Sequence, residues 1–152
     1  MIMSTKHLII LLFLSFNFGF SQEVKFDENL AKSLGADDYG MKQYVFCILK
    51  TGSNTTASEK ERNEYFKGHM ENIQRLAKEG KLAVAGPFMK NDKNYRGIFV
   101  FNVSTVEEAK ALVESDPAVK GKIFDYELTP WYCSAALMKV NELHQTIQKT
   151  KF

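Results

Sequence analysis

The chain of 152 residues is short of the side chains that most often announce chemistry: two cysteines, three histidines, three arginines and one tryptophan. Two thiols are too few for the disulfide framework of a small secreted domain. No Cys/His spacing matches a zinc motif, so neither a metal nor any other cofactor is expected. A dominant charge is missing too. Twenty basic side chains against eighteen acidic ones leave a net charge of +2, which excludes the strongly basic field of a nucleic-acid binder and a polybasic membrane patch. No apolar run approaches the roughly 20 residues that a membrane-spanning helix needs. The Gly-x-Ser-x-Gly, Gly-x-Gly-x-x-Gly and P-loop patterns are all absent, so serine-hydrolase and nucleotide-binding readings lack their signal.

What is present begins with an export signature. Lys6 precedes the apolar run Leu8 to Phe16, which trails off through Gly19-Phe20-Ser21. A charged start, a short apolar stretch and small residues at a cleavage point make a signal peptide of residues 1–21. Cleavage near Ser21 would export the protein to the periplasm or beyond, without stable membrane insertion; an uncleaved anchor is the alternative. No cysteine stands there to carry a lipid. The remaining residues suit one domain with a real core.

Residues 22–40 read as a polar linker with a short helix around Leu30 and Leu34. Gln43–Lys50 is a continuous apolar and β-branched run, a strand. Ser58 and Glu61 form a capping box ahead of a helix whose apolar positions recur at Tyr65, Phe66, Met70, Ile73 and Leu76, stopped at Gly80. Leu82–Phe88 and Gly97–Val103 are further strands. Ser104 with Glu107 caps a second helix, which Asp116-Pro117 ends. Lys122–Tyr132 is the fourth strand, and residues 134–152 form a C-terminal helical extension.

This order, βαββαβ over residues 41–133, is the α+β ferredoxin-like unit: two helices on one face of an antiparallel four-stranded sheet in the order 4-1-3-2. The first strand does not alternate. Tyr44, Phe46 and Ile48 are as apolar as Val45, Cys47 and Leu49, so both faces of the sheet need a cover. A second copy of the chain, meeting this one sheet to sheet, is favoured over the tail helix. In this topology Cys133 lies near the start of the first strand and Cys47 near its far end. About 16 Å of strand separates them, far beyond disulfide reach.

One candidate site emerges. His69 falls on the apolar stripe of the first helix, where a carboxylate partner would fix its tautomer and make it a better base. Asp116 is the first candidate partner, and Asp125 and Glu127 are alternatives. The two helices run roughly parallel, which sets Asp116 near the end of the first helix and His69 near its middle and leaves open whether they touch or are bridged by water or substrate. The competing reading is a structural histidine and an Asp-Pro turn. Gly86 would let a small molecule approach the backbone, with Pro87 beside it, and Arg96 would offer a guanidinium to an anion.

The runs His69-Met70-Glu71-Asn72-Ile73-Gln74-Arg75-Leu76, Glu79-Gly80-Lys81-Leu82 and Ala85-Gly86-Pro87-Phe88, followed by Val106-Glu107-Glu108-Ala109 and Asp116-Pro117-Ala118, resemble the YciI-like (YCII-related) family across about residues 42–131. The resemblance implies a dimeric α/β-barrel and a His–Asp pair, His69 and Asp116, in a cleft for a small molecule. It also implies acid–base chemistry of a lyase or hydrolase type, since one relative is a dehydrochlorinase acting on a chlorinated hydroxyquinol. A non-catalytic binding or assembly module of the same fold is the alternative. The export signal, residues 22–40 and the tail depart from the compact family pattern.

Overall fold

The computed structural model describes residues 25–150; the apolar run and the expected cleavage point at Ser21 lie outside the described residues. A short helix α1 (Glu28–Leu34) leads into β1 (Met41–Thr51), α2 (Glu59–Lys78), β2 (Leu82–Pro87), β3 (Tyr95–Phe101), α3 (Val106–Val113), α4 (Pro117–Lys120) and β4 (Phe124–Ser134). A 3₁₀ turn (Ala135–Lys139) and α5 (Val140–Ile147) follow. The sheet order is β2-β3-β1-β4 with every neighbour antiparallel. This is the ferredoxin-like arrangement that the order of elements predicts.

Strand alternation divides the apolar residues between two layers. Val45, Cys47, Leu49, Phe99, Phe101 and Phe124 face the helices and join Leu76, Ala109, Val113 and Ala118 in the main core. Tyr44, Ala83 and Val100 face the other way and are also buried. Their cover is the tail: Leu137 and Met138 pack on them, Asn141 Nδ2 donates to the Leu82 carbonyl at 2.7 Å, and Tyr44 Oη donates to the Ser134 carbonyl. The expectation that a second copy does this work is therefore corrected for one end of the face. A 3₁₀ turn followed by a helix reaches far enough to close it. Beyond the tail, Phe46, Ile48 and Ile98 are half-buried, and Trp131, edge-on to Phe46, keeps 37% of its surface exposed. The register sets Cys133 opposite Lys42 and Cys47 opposite Leu128, so the two free thiols are five strand positions apart.

Three boundaries move, each for a local reason. α3 is capped one residue later than expected: Thr105 and Glu108 form the box, in the frame that points Ala109 and Val113 into the core. β3 begins at Tyr95, because the Asn91 side chain accepts from Tyr95 N and donates to the Tyr95 carbonyl, closing the hairpin early. β4 begins at Phe124, because Lys122 adopts a left-handed φ of 57° in the preceding turn. The largest change concerns Asp116-Pro117, which starts a helix instead of ending one. Asp116 is the N-cap of α4 and Pro117 occupies its first turn, where a missing N–H costs nothing.

A candidate active site between two helices

The site is built where α2 crosses the start of α4. The crossing is unusually close at Gly68: a Cβ there would lie 2.8 Å from Pro117 Cγ and 3.1 Å from its Cβ. One helical turn earlier, Tyr65 lies against Gly121 so tightly that a Cβ on that glycine would meet the ring at 2.4 Å. A mid-helix glycine costs about 1 kcal/mol relative to alanine. Here it admits a proline ring and so brings α2 down onto the residue before it, Asp116.

The next residue along α2 makes the contact. His69 Nδ1 lies 2.7 Å from Asp116 Oδ2, with the carboxylate fully buried and the histidine 8% exposed. The distance that two roughly parallel helices leave open is closed by α4, whose turn carries Asp116 back against the middle of α2. A carboxylate only accepts, so the bond places the imidazole proton on Nδ1. The other oxygen, Oδ1, accepts from Ala118 N at 2.8 Å, the cap of α4. Oδ2 has a second donor at 3.5 Å, Asn72 Nδ2. Both oxygens are thus held by the protein, and Asp116 cannot swing to greet a ligand.

Aromatic rings hold the imidazole from the sheet side. It stacks on Phe99 (centroids 5.7 Å apart, 30° between planes) and meets Phe124 edge-on at 5.2 Å. Phe66, one turn earlier on α2 and 38% exposed, touches Phe124 in turn. Among the described residues Nε2 has no hydrogen-bond partner. Since no buried side-chain nitrogen or oxygen among the described residues is left without one, Nε2 reaches solvent. The imidazole is thus anchored through Nδ1 on a buried carboxylate and held on its faces by Phe99 and Phe124. Cys47 lies beneath, fully buried, its thiol pushed up to about 12 by burial and then by the nearby Asp116 charge.

The other candidates are not brought to this point. Asp125 is exposed, and Glu127 pairs with Lys50 across the sheet. Gly86 sits opposite Ile98, in the layer that faces away from the helices, and a Cβ there would meet nothing within 4 Å. Pro87 ends edge strand β2 and is exposed. Arg96 is exposed at the register shift between the Leu49–Gly97 and Lys50–Tyr95 pairs, three residues along β3 from Phe99, or about 10 Å of strand. Gly86, Pro87 and Arg96 are therefore not brought together with His69 among the described residues.

Sequence reasoning missed Gly68, Asn72, Arg75 and Ser115. A glycine next to the histidine inside a helix was the available signal, because such a residue usually has a packing reason. Asn72 and Arg75, three and six positions after His69, lie along the same helix, and Asn72 is 6% exposed. Among the described residues no cluster of three or more His, Cys, Asp or Glu is placed to hold a metal, and no helix is long and apolar enough to cross a membrane.

Residues 44–132 match the YCII-related domain. The chain belongs to that family. His69, Gly86, Pro87, Arg96 and Asp116 all fall inside the matched span. No curated protein matches the chain. Among solved structures it is similar to the 5-chloro-2-hydroxyhydroquinone dehydrochlorinase of Burkholderia phenoliruptrix in complex with 2,5-dihydroxybenzoquinone, at 22% identity over 57% of this chain and 92% of that one, with a TM-score of 0.42.

Proposed function

We propose that this YCII-related chain is an acid–base enzyme in which His69 exchanges a proton with a small, partly apolar substrate through Nε2, in a lyase- or hydrolase-type reaction. Asp116 fixes the tautomer and stabilises the imidazolium that forms when Nε2 takes a proton. One observation carries the reading: the imidazole has a buried carboxylate at 2.7 Å on one nitrogen and solvent on the other. A histidine kept only for packing has no need of a bare nitrogen at a surface. Phe66, exposed one turn before His69 on α2 and in contact with Phe124, favours a flat or aromatic substrate over a highly charged one. A chlorinated hydroxyquinol, the type of compound that the family resemblance implies, is the first to assay.

The reading includes a homodimer. The part of the sheet that the tail leaves open carries Phe46, Ile48, Ile98 and Trp131, and a second copy placed sheet to sheet would cover it. It also includes export, on the strength of the apolar run after Lys6. A non-catalytic binding or assembly module has its own supporting observation. Two concavities of the described surface lie away from His69, one along the start of α2 at Glu59, Lys60 and Lys67 and one at Glu114, Lys122 and Tyr126.

The test is turnover by the purified protein against small phenols, chlorinated hydroxyquinols and weak carbon acids, beside His69→Ala and His69→Gln. General acid–base catalysis is worth about 10²–10⁴-fold, so both variants should lose at least a hundredfold while keeping the fold. Full turnover in folded His69→Ala would reject the enzyme reading. Ligand binding that survives this variant, with no turnover of any compound, would favour the binding module.

A further inference from the structure

Asn72 is buried beside the His69–Asp116 pair and belongs to a chain of polar contacts with no part in the core. Its Oδ1 accepts from Arg75 Nη2 at 2.7 Å, while Ser115 Oγ, 3.2 Å away, gives its single proton to the Leu112 carbonyl at 2.7 Å. Arg75 Nη2 also donates to Ser115 Oγ, and Arg75 Nη1 donates to both oxygens of Glu79 at 3.1 Å. These contacts settle which way the carboxamide points. A guanidinium has donors only, so the end of Asn72 that meets Arg75 is the oxygen. The amino end must then face Asp116, where Nδ2 stands 3.5 Å from Oδ2. Turned over, the amide would set an oxygen against the carboxylate and an NH₂ against the guanidinium, two repulsions in a buried place.

We propose that Asn72 is a positioning residue: locked by Arg75, it presents an N–H to Asp116 Oδ2 and so steadies that oxygen on His69 Nδ1, keeping Nε2 as the bare nitrogen. Asp116 Oδ1 is already fixed by the cap of α4, so Oδ2 is the oxygen whose direction is left to set. Its two donors, His69 and Asn72, are separated by less than one turn of the same helix. They define the carboxylate plane from one side, and Ala118 N defines it from the other. Arg75 does not touch Asp116. It acts through Asn72, and its own place is steadied by Glu79, four residues on.

The kinetic consequence rests on the acid–base reading given above; the tautomer consequence does not. The test is therefore nuclear magnetic resonance of the ring nitrogens of His69 in the full folded chain, on three proteins: wild type, Asn72→Leu and Arg75→Met. Wild type should show the Nδ1-protonated tautomer with a slowly exchanging proton. Asn72→Leu keeps the volume and removes the donor. It should give a mixture of tautomers and faster exchange of that proton, with the amide spectrum of the sheet unchanged. Arg75→Met frees the Asn72 amide to rotate and should move the same signals in the same direction by a smaller amount. Asn72→Gln, which retains an N–H on a longer arm, should recover part of the wild-type pattern.

A folded Asn72→Leu protein with the wild-type tautomer and exchange rate would overturn the proposal. If that variant does not fold, Arg75→Met decides: unchanged His69 signals overturn the proposal, and a shifted tautomer population supports it. Where a substrate has been found, Asn72→Leu should lower kcat about threefold, the size expected for losing a long contact at 3.5 Å to a charged group, with KM within twofold. If His69→Ala retains turnover, the acid–base reading fails, and the tautomer result still stands or falls alone.

Discussion

Gly68→Ala separates two views of this protein by the sign of its effect. In an ordinary mid-helix position the change stabilises by about 1 kcal/mol, because alanine has the higher helix propensity. In a domain of this size that would raise Tm by roughly 4 °C. Here the new Cβ would sit 2.8 Å from Pro117 Cγ and 3.1 Å from Pro117 Cβ, against an optimal carbon–carbon separation of about 3.5–4.0 Å. The proline ring is part of the backbone of α4 and has little room to give, so α2 must retreat by about 0.7 Å at least. That retreat acts one residue from His69. Stretching its 2.7 Å bond to Asp116 by a similar amount takes it past the usual limit of about 3.2 Å. Overpacking costs about 1–3 kcal/mol, and weakening a bond to a buried carboxylate costs about 1.5–3 kcal/mol more. Against a gain of about 1 kcal/mol from propensity, the net is a loss of about 2 kcal/mol or more. Tm should therefore fall by about 8 °C, measured by circular dichroism or calorimetry. The His69 Nδ1 proton should exchange faster in the folded variant. Adding Pro117→Ala removes the nearer of the two colliding atoms and should return part of the loss, giving a favourable coupling between the two changes. A Gly68→Ala protein that melts higher than wild type would refute the argument that this glycine sets the approach of α2 to α4.

Four further outcomes follow from the structure. Asp116→Asn keeps the volume and can keep the α4 cap, but it removes the charge that holds the Nδ1 proton. Any turnover that depends on His69 should drop by about 10²–10⁴-fold, and the ring nitrogens should report a changed tautomer. Cys47 is fully buried and its thiol is raised from an ordinary 9.0 to about 12, so thiol reagents at pH 8 should label Cys133 alone in the folded protein and both cysteines in denaturant. A raised thiol contributes its stability in full below pH 9. Above that the unfolded chain ionises and the folded one does not, so stability should decline from pH 9 towards 12. Tyr126, raised to about 12 by burial and then by its bond to Glu114, adds to the decline above pH 10, and Cys47→Ala should flatten its lower part. Finally, sedimentation at micromolar concentration should give a dimer, and Trp131→Glu together with Ile48→Lys on the open sheet face should give a folded monomer. A wild-type monomer would remove the sheet-to-sheet contact from the reading.

The sheet and its helices were legible in the sequence because each element carries its own local signal: a β-branched run, a capping box, a left-handed glycine at a helix end. The layer structure was legible for a related reason. β1 is apolar on both sides, and the structure buries both, one side under α2 and α3 and part of the other under the tail. The share taken by the tail was underestimated because its reach depends on the 3₁₀ turn Ala135–Lys139 that precedes α5, and a short turn has no periodicity to read. The site was legible in its residues and illegible in its distances. His69 and Asp116 were both visible as chemical groups, but their separation depended on what Asp116-Pro117 does. An Asp-Pro pair can end one helix or begin another, and sequence rules permit both. The structure uses it as the start of α4, and that single choice turns Asp116 back onto α2. The choice is stable because Gly68 accepts the proline ring and Asp116 caps Ala118. The same side chain is thus at once a helix cap and the partner of the imidazole. The structural and chemical readings of Asp116, which look like rivals in the sequence, describe its two oxygens: Oδ1 holds the helix, and Oδ2 holds His69.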